Sequence, residues 1–151
     1  MFTMPIANIA SGILGRGYAM GGIVAAVSAE IDGIQFDTEA AINPTAVLSV
    51  ARRSVGVNSA TRGYAMGGIA AGVSAEIDGI LFSDETAINP TAVLAVARQS
   101  SAGVNSTTRG YVLGGFDGTN NLAEIDGIQF DTEAAINPIA EIGRASCRER
   151  V

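Results

Sequence analysis

A unit of about 46 residues repeats along this chain, and this repetition limits the possible folds more than any other feature. Tyr18 and Tyr64 are 46 positions apart, and Tyr64 and Tyr111 are 47 apart. Near-identical units of this length predict small β or α elements that bury a continuous core by stacking on their neighbours. The chain divides into residues 1–15 (a leader or part of a first-blade strand), 16–61 (repeat 1), 62–108 (repeat 2), 109–140 (truncated repeat 3) and 141–151 (a tail). We expect it to be a piece of a longer repeat protein.

Four short segments recur in each repeat, separated by Gly, Asn-Pro and Asn-Ser. In repeats 1 and 2 they are GVNS, RGYAMGG, EIDGI(Q/L)F and TAVL(S/A)VAR. Strand alternation in RGYAMGG predicts that Tyr64, Met66 and Gly68 share one face, with Gly63, Ala65 and Gly67 on the other. Gly33, within the third segment, is the predicted site of a β-bulge.

The fourth segment is open to two interpretations. Val47, Leu48 and Val50 favour strands over residues 45–51 and 91–97. The alternative is a helix capped by Asn43 with Pro44 in its first turn, which would make the protein an α/β solenoid. We favour the strand, since four strands in about 46 residues fit the blade size of propeller repeats.

The order of these signals resembles the Kelch-type β-propeller repeat over residues 6–140. The resemblance lies in a double glycine, an aromatic residue followed by aspartate, and an arginine before the next double glycine. These positions, with the tyrosine of each repeat, are Tyr18, Gly21, Gly22, Phe36, Asp37, Arg52; Tyr64, Gly67, Gly68, Phe82, Asp84, Arg98; and Tyr111, Gly114, Gly115, Phe130, Asp131. The resemblance implies an all-β truncated β-propeller of about three four-stranded Kelch-like blades. The usual blade tryptophan is absent, and Leu48 and Leu94 occupy the nearest positions.

The charged residues exclude several classes of function. All nine basic residues are arginine, against fifteen acidic residues, which gives a net charge of −6. Without a basic cluster the chain is not expected to bind nucleic acid or an anionic membrane, and it has no apolar run of 18 residues to insert into one. The chain contains no histidine, so triads and metal sites that need imidazole are excluded. No cofactor is predicted, and the compartment is not indicated.

The tail, EIGRASCRERV over residues 141–151, resembles the conceptual translation of a sequencing adapter. It holds the single cysteine, Cys147. The resemblance implies an artefact of a metagenomic sequence rather than protein that was selected to fold. We therefore expect these residues to pack on nothing.

Acidic residues recur in every repeat and have two interpretations. The first is calcium coordination by Glu30, Asp32, Glu76, Asp78, Glu124 and Asp126, because hard cations prefer several oxygen ligands. The second, which we favour, is that the acids cap turns and pair with arginines of a neighbouring strand. A paired-carboxylate glycosidase site is disfavoured, because an active site is unique whereas these acids repeat.

Arginine precedes Gly-Tyr once in each repeat, as Arg16, Arg62 and Arg109. These side chains either form a ring that recognises an anionic ligand or tie adjacent strands through charge-assisted hydrogen bonds. A glycosylation sequon, Asn105-Ser106-Thr107, occurs in one repeat only.

These features predict a non-catalytic repeat scaffold that binds a protein or carbohydrate partner, for example in a microbial or viral surface protein. The alternative is a fragment of a propeller-based carbohydrate-active or oxidase-type enzyme whose active site lies outside this sequence. Exposed blade faces and strand edges also predict that the chain associates with itself.

Overall fold

The computed structural model describes residues 15–23 and 26–143, and their regular structure is entirely β. The strands of this part of the chain are β1 (Arg16–Ile23), β2 (Val27–Gln35), β3 (Ala40–Ile42), β4 (Arg53–Asn58), β5 (Arg62–Ile69), β6 (Val73–Leu81), β7 (Ala87–Ile88), β8 (Ala102–Asn105), β9 (Arg109–Phe116), β10 (Asn121–Gln129) and β11 (Ala135–Ile136). The all-β prediction is confirmed. The α/β solenoid alternative is wrong, because the described residues contain no helix.

Every strand pairing is antiparallel, and the strands form two sheets. A curled seven-stranded sheet has the order β3-β2-β1-β4-β5-β6-β7, and a four-stranded sheet has the order β11-β10-β9-β8. Within the larger sheet, β1 and β4 are joined by a single residue pair, Gly21 with Arg53. We therefore describe three stacked units: unit 1 (β1–β3), unit 2 (β4–β7) and unit 3 (β8–β11).

The two faces of unit 2 build two separate cores, as strand alternation predicts. Tyr64, Met66 and Ile77 are buried in one core with Val112, Ile128 and Phe130 of unit 3. On the opposite face, Ala65, Ile80 and Phe82 are buried in a second core with Ile31 and Leu48 of the first repeat. The predicted alternation of RGYAMGG is confirmed for its side chains. Each large apolar side chain that is fully buried contributes about 1.5–3 kcal/mol, so these cores hold the stack together.

A β-bulge lies at the double glycine of each repeat, rather than at Gly33, and its extra residue is in the partner strand. The register of β5 against β6 shifts between Met66 and Gly68, and Gly67 and Gly68 have φ angles of 59° and 113°. Gly33 pairs regularly with Tyr18, whose ring fills the space that a β-carbon at Gly33 would need. The prediction of a bulge at Gly33 is therefore wrong, because that glycine makes room for an aromatic ring across the strand pair.

The fourth segment forms neither strand nor helix, so the predicted strands at 45–51 and 91–97 are wrong. An isolated bridge from Val47 to Glu30 is its only β pairing in repeat 1. The segment is anchored instead by two hydrogen bonds, from Leu48 N–H to Ala29 O (2.8 Å) and from Arg52 N–H to the Ser28 carbonyl (3.1 Å). Packing overrides the β propensity here, because the chain must leave the sheet to bury Leu48 between units 1 and 2.

The first residues of the tail dock on unit 3 in the same way. Ile142 N–H donates to Ala123 O at 2.7 Å, the counterpart of the Leu48 bond, and Glu141 bridges to Glu124. The expectation that residues 141–151 pack on nothing is wrong for these two residues. A free strand edge accepts backbone hydrogen bonds from any sequence, and isoleucine also suits the position of Leu48. Residues 144–151, with Cys147, lie outside the described residues, as do residues 1–14 of the predicted leader.

Candidate functional site

A buried arginine–aspartate pair joins each unit to the next. Arg52 Nη1 lies 2.6 Å from Asp78 Oδ2, and Arg98 Nη2 lies 2.5 Å from Asp126 Oδ2. Arg52 is fully buried, and its other N–H groups donate to main-chain carbonyls, including that of Gly67 at 2.9 Å. The guanidinium, which lies inside the interface, therefore fixes the backbone of unit 2 at its double glycine.

Asp78 accepts hydrogen bonds from several donors, which offset the cost of burying its carboxylate. Besides Arg52, its Oδ2 accepts from Ser49 N–H (3.1 Å) and from Ser49 Oγ–H (2.9 Å). With its amide oriented to suit its neighbours, Asn89 donates to Oδ1 at 3.3 Å. Removing one partner from such a pair costs about 3–5 kcal/mol, because the other charge is left buried and uncompensated.

The six carboxylates proposed as calcium ligands are not brought together. Asp78 and Asp126 are buried against arginine, whereas the other four, Glu30, Asp32, Glu76 and Glu124, are exposed. Among residues 15–23 and 26–143, no group of three acidic, histidine or cysteine side chains is placed to hold a metal ion. The pairing of acids with arginines describes Asp78 and Asp126, so these carboxylates act inside the scaffold.

Asp84 shows the other role expected of the acids, that of capping a turn. Its Oδ1 accepts hydrogen bonds from Thr86 Oγ1–H (2.7 Å) and Thr86 N–H (3.1 Å). These bonds, the side-chain one first, lower the pKa of Asp84 below its ordinary value. The carboxylate stabilises the turn between β6 and β7 rather than facing a ligand.

A second polar contact ties the units near the start of each repeat. Arg16 Nη1 donates to Glu85 Oε1 at 2.8 Å, and the hydroxyl of Tyr18 donates to the same oxygen at 3.1 Å. The contact recurs between units 2 and 3, where the distances from Glu133 Oε1 are 3.1 Å to Arg62 Nη1 and 3.0 Å to Tyr64 Oη. Glu85 and Glu133 belong to the repeated acids expected to pair with arginines, but the sequence did not indicate which arginine each of them contacts. The available signal was a glutamate three positions after the phenylalanine in every repeat.

Two of the three repeated arginines thus tie adjacent units together, as the second interpretation holds. Arg109 differs, since it is exposed and has no acidic partner among the described residues. The three arginines therefore do not act as an equivalent ring at a ligand.

An aromatic stack accompanies each of these contacts. Tyr18 stacks on Phe82 with ring centroids 5.3 Å apart, and Tyr64 stacks on Phe130 at 5.6 Å. Burial raises the pKa of Tyr64 to about 12, opposed by the hydrogen bond with Arg62 and reinforced by the Glu133 carboxylate. The phenol is therefore held neutral, as a hydrogen-bond donor to Glu133.

The loops between the first two strands of units 2 and 3, residues 58–61 and 105–108, lie side by side and enclose a polar groove. We call them the Asn-Ser loops. The groove is lined by Arg16, Asn58, Ser59, Ala60, Asn105, Ser106 and Thr107. Neutral amides and hydroxyls predominate, with one guanidinium at the side. Such a lining suits a ligand rich in hydroxyl or amide groups.

The Asn-Ser loops are held rigid by their own serines. Ser59 Oγ accepts hydrogen bonds from Thr61 N–H (3.2 Å) and Arg62 N–H (3.0 Å). Ser106 Oγ likewise accepts from Arg109 N–H at 3.1 Å. These bonds satisfy loop amides that would otherwise need water, so the groove is organised before any ligand arrives.

Comparisons with known proteins assign no family to this chain. A scan against protein-family models found no match, and a search of curated proteins found none either. The described segments also hold no helix long and apolar enough to cross a membrane.

Proposed function

We propose that this chain is a non-catalytic repeat scaffold, built of about three Kelch-like blades of a propeller-type array, that binds a polar partner at its Asn-Ser loops. Support for the array comes from the three stacked antiparallel units, which repeat the same strand registers and the same contacts. Such a stack presents equivalent loops side by side at one end, which is how repeat proteins build extended binding surfaces.

One observation carries the binding role. Four of the nine repeated charged residues that the sequence offers as site candidates, Arg16, Arg62, Asp78 and Asp126, are engaged in ion pairs between units. The Asn-Ser loops instead present the exposed side chains of Asn105 and Thr107 to solvent. Polar groups that make no structural contact, in a pre-organised concave site, are those available to a ligand.

The chemistry of the groove favours a neutral carbohydrate over an ionic ligand. Amide and hydroxyl groups donate and accept in turn, as sugar hydroxyls require. Arg16 is the one cationic residue of the lining, and it already donates a hydrogen bond to Glu85. A second groove shares Ser59, Ala60 and Thr107 with the first, and it is also lined by Thr61, Arg62, Thr108, Phe130 and Asp131.

A glycan array probed with the full chain tests this proposal. We expect binding to a subset of neutral glycans, weakened about fivefold or more by Asn105→Ala, which removes a side chain able to make two or more hydrogen bonds. Asn121→Ala, at an exposed strand end, is the matched control and should bind as the parent does. Binding that is equal in both variants would remove the loops from the site. If the array gives no signal and the chain instead binds a protein that Asn105→Ala no longer binds, the groove would be assigned to a protein partner.

A further inference from the structure

Within the part of the chain that the structure describes, nothing covers the face of unit 1 that corresponds to a buried face of unit 2. In unit 2, Ile80 and Phe82 are 0% and 7% exposed, whereas their counterparts Ile34 and Phe36 in unit 1 are 41% and 59% exposed. Asp32, the counterpart of the buried Asp78, is exposed as well. We call this surface of unit 1 the acceptor face. Its residues are Ala19, Asp32, Ile34, Phe36 and Glu39.

The opposite face of unit 3 is likewise uncovered among residues 15–23 and 26–143. Tyr64 and Met66 of unit 2 are 0% exposed, but their counterparts Tyr111 and Leu113 are partly exposed. Val104, the counterpart of Val57, is 49% exposed, against 3% for Val57. We call this surface of unit 3 the donor face. Its residues are Val104, Arg109, Tyr111, Leu113 and Ile125.

These two faces are complementary, because the same pair of faces already meets twice within the chain. At both internal interfaces, arginine and tyrosine of one unit contact a glutamate of the next, and the tyrosine stacks on a phenylalanine. The donor face carries the arginine and tyrosine of this pattern as Arg109 and Tyr111. The acceptor face carries the phenylalanine and glutamate as Phe36 and Glu39, and Glu39 has the same left-handed backbone (φ 55°) as Glu85 (φ 60°) and Glu133 (φ 54°).

We propose that the donor face of one copy of this chain packs on the acceptor face of a second copy, continuing the stack of units from chain to chain. Arg109 then pairs with Glu39 of the second copy, and Tyr111 stacks on its Phe36. Val104, Leu113 and Ile125 cover Ala19 and Ile34 of that copy. This proposal does not depend on the Asn-Ser groove.

The form of the assembly follows from the use of two different faces. A contact between unlike surfaces repeats head to tail, so it gives a closed ring or an open filament rather than a two-fold dimer. The buried Arg52 and Arg98 follow Leu48 and Leu94 by four positions. In the third repeat, the residue four positions after Ile142 is Ser146 rather than an arginine. The proposed contact therefore has no counterpart of the buried ion pair, and we expect it to be weaker than the internal interfaces.

Sedimentation velocity of the full chain tests the proposal by charge reversal. We expect the parent to show a mass that rises with concentration, and Arg109→Glu or Glu39→Arg to reduce the association constant on the order of 100-fold, because each places like charges together. Mixing the two variants should restore association, since the glutamate introduced in one variant then meets the arginine introduced in the other, and the unchanged Arg109 meets the unchanged Glu39. Arg53→Glu and Glu76→Arg, at exposed positions of unit 2, are matched controls that should associate as the parent does.

Circular dichroism and melting temperature identify any variant that fails to fold. In that case Arg109→Gln or Glu39→Gln replaces it, and the association constant is expected to fall by a smaller factor. A parent chain that is monomeric at every concentration overturns the proposal. So does association that the face variants and the controls reduce equally, or a mixture of the two reversed variants that stays dissociated while each is folded.

Discussion

Arg52 directly precedes β4 in the first repeat and contacts Asp78 in the second, with Nη1 2.6 Å from Oδ2 and both side chains buried. The pair recurs as Arg98 with Asp126, one repeat further along. Each arginine lies in the segment between two units and contacts β6 or β10 of the following unit, and it also donates hydrogen bonds to main-chain carbonyls at the double glycine. This repeated arginine is thus a connector between units.

Replacing Arg52 should be among the most damaging changes in the chain. We expect Arg52→Leu to lower the free energy of unfolding by about 3–5 kcal/mol, because Asp78 then stays buried without a cation. Urea titration of the purified variant measures this change. Arg53→Leu, at the exposed neighbouring position, should stay within about 0.5 kcal/mol of the parent.

The double variant Arg52→Leu with Asp78→Leu separates the charge effect from packing. It should recover much of the loss, since replacing both members of a buried pair by apolar residues is often close to neutral. If the double variant is as unstable as the sum of the two single variants, the pair would not be coupled as described.

Stability should fall at high pH because of Tyr64. Its pKa is raised to about 12 in the folded chain from 10.0, chiefly by burial. The folded state therefore favours the neutral phenol, a contribution fully present below pH 10 and lost as the pH rises through 12. Urea titrations across this interval should show a steeper decline for the parent than for Tyr64→Phe, which cannot ionise. Parallel declines would contradict the assignment.

The double glycine should not tolerate a side chain. Gly67 has a φ of 59°, and a β-carbon there would lie 2.8 Å from the carbonyl oxygen of Arg98. We expect Gly67→Ala to cost about 1–3 kcal/mol from the left-handed backbone, with the clash adding to it. The matched control is Gly72→Ala, in the β5–β6 hairpin, where a β-carbon meets nothing within 4 Å. Equal melting temperatures for the two variants would contradict this explanation.

Strand periodicity predicted the all-β class and the two faces of β5, because both depend only on local alternation. Tyr64 and Ala65 do enter separate cores. Local pattern failed where contacts between units decide the structure. Segment 45–51 has the composition of a strand, yet it leaves the sheet so that Leu48 is buried between two units. Propensity carries no information about a partner one repeat away.

Among the candidate site residues, sequence predicted the pairing of acids with arginines but not the choice of partners. Asp78 pairs with the arginine of the preceding repeat, and Glu85 was not singled out as the partner of Arg16. These pairs join residues 26 and 69 positions apart, so only the stacking of the units brings them together. The sequence did not predict the groove of the Asn-Ser loops for the same reason, since its two sides come from different units.

The position shared by Leu48, Leu94 and Ile142 gives the last prediction, because burial there differs between repeats. Leu94 is 2% exposed in the core between units 2 and 3, whereas Ile142 on the outer side of unit 3 is 40% exposed. Leu94→Ala should therefore cost about 2–5 kcal/mol by leaving a cavity, and Ile142→Ala about 1 kcal/mol, since it removes an only partly buried side chain. Val93→Ala, at 46% exposure, controls for the loss of an exposed apolar group and should change stability least. Urea midpoints of the three variants rank these effects. An Ile142→Ala midpoint equal to that of the parent would mean that the tail does not contribute to the fold.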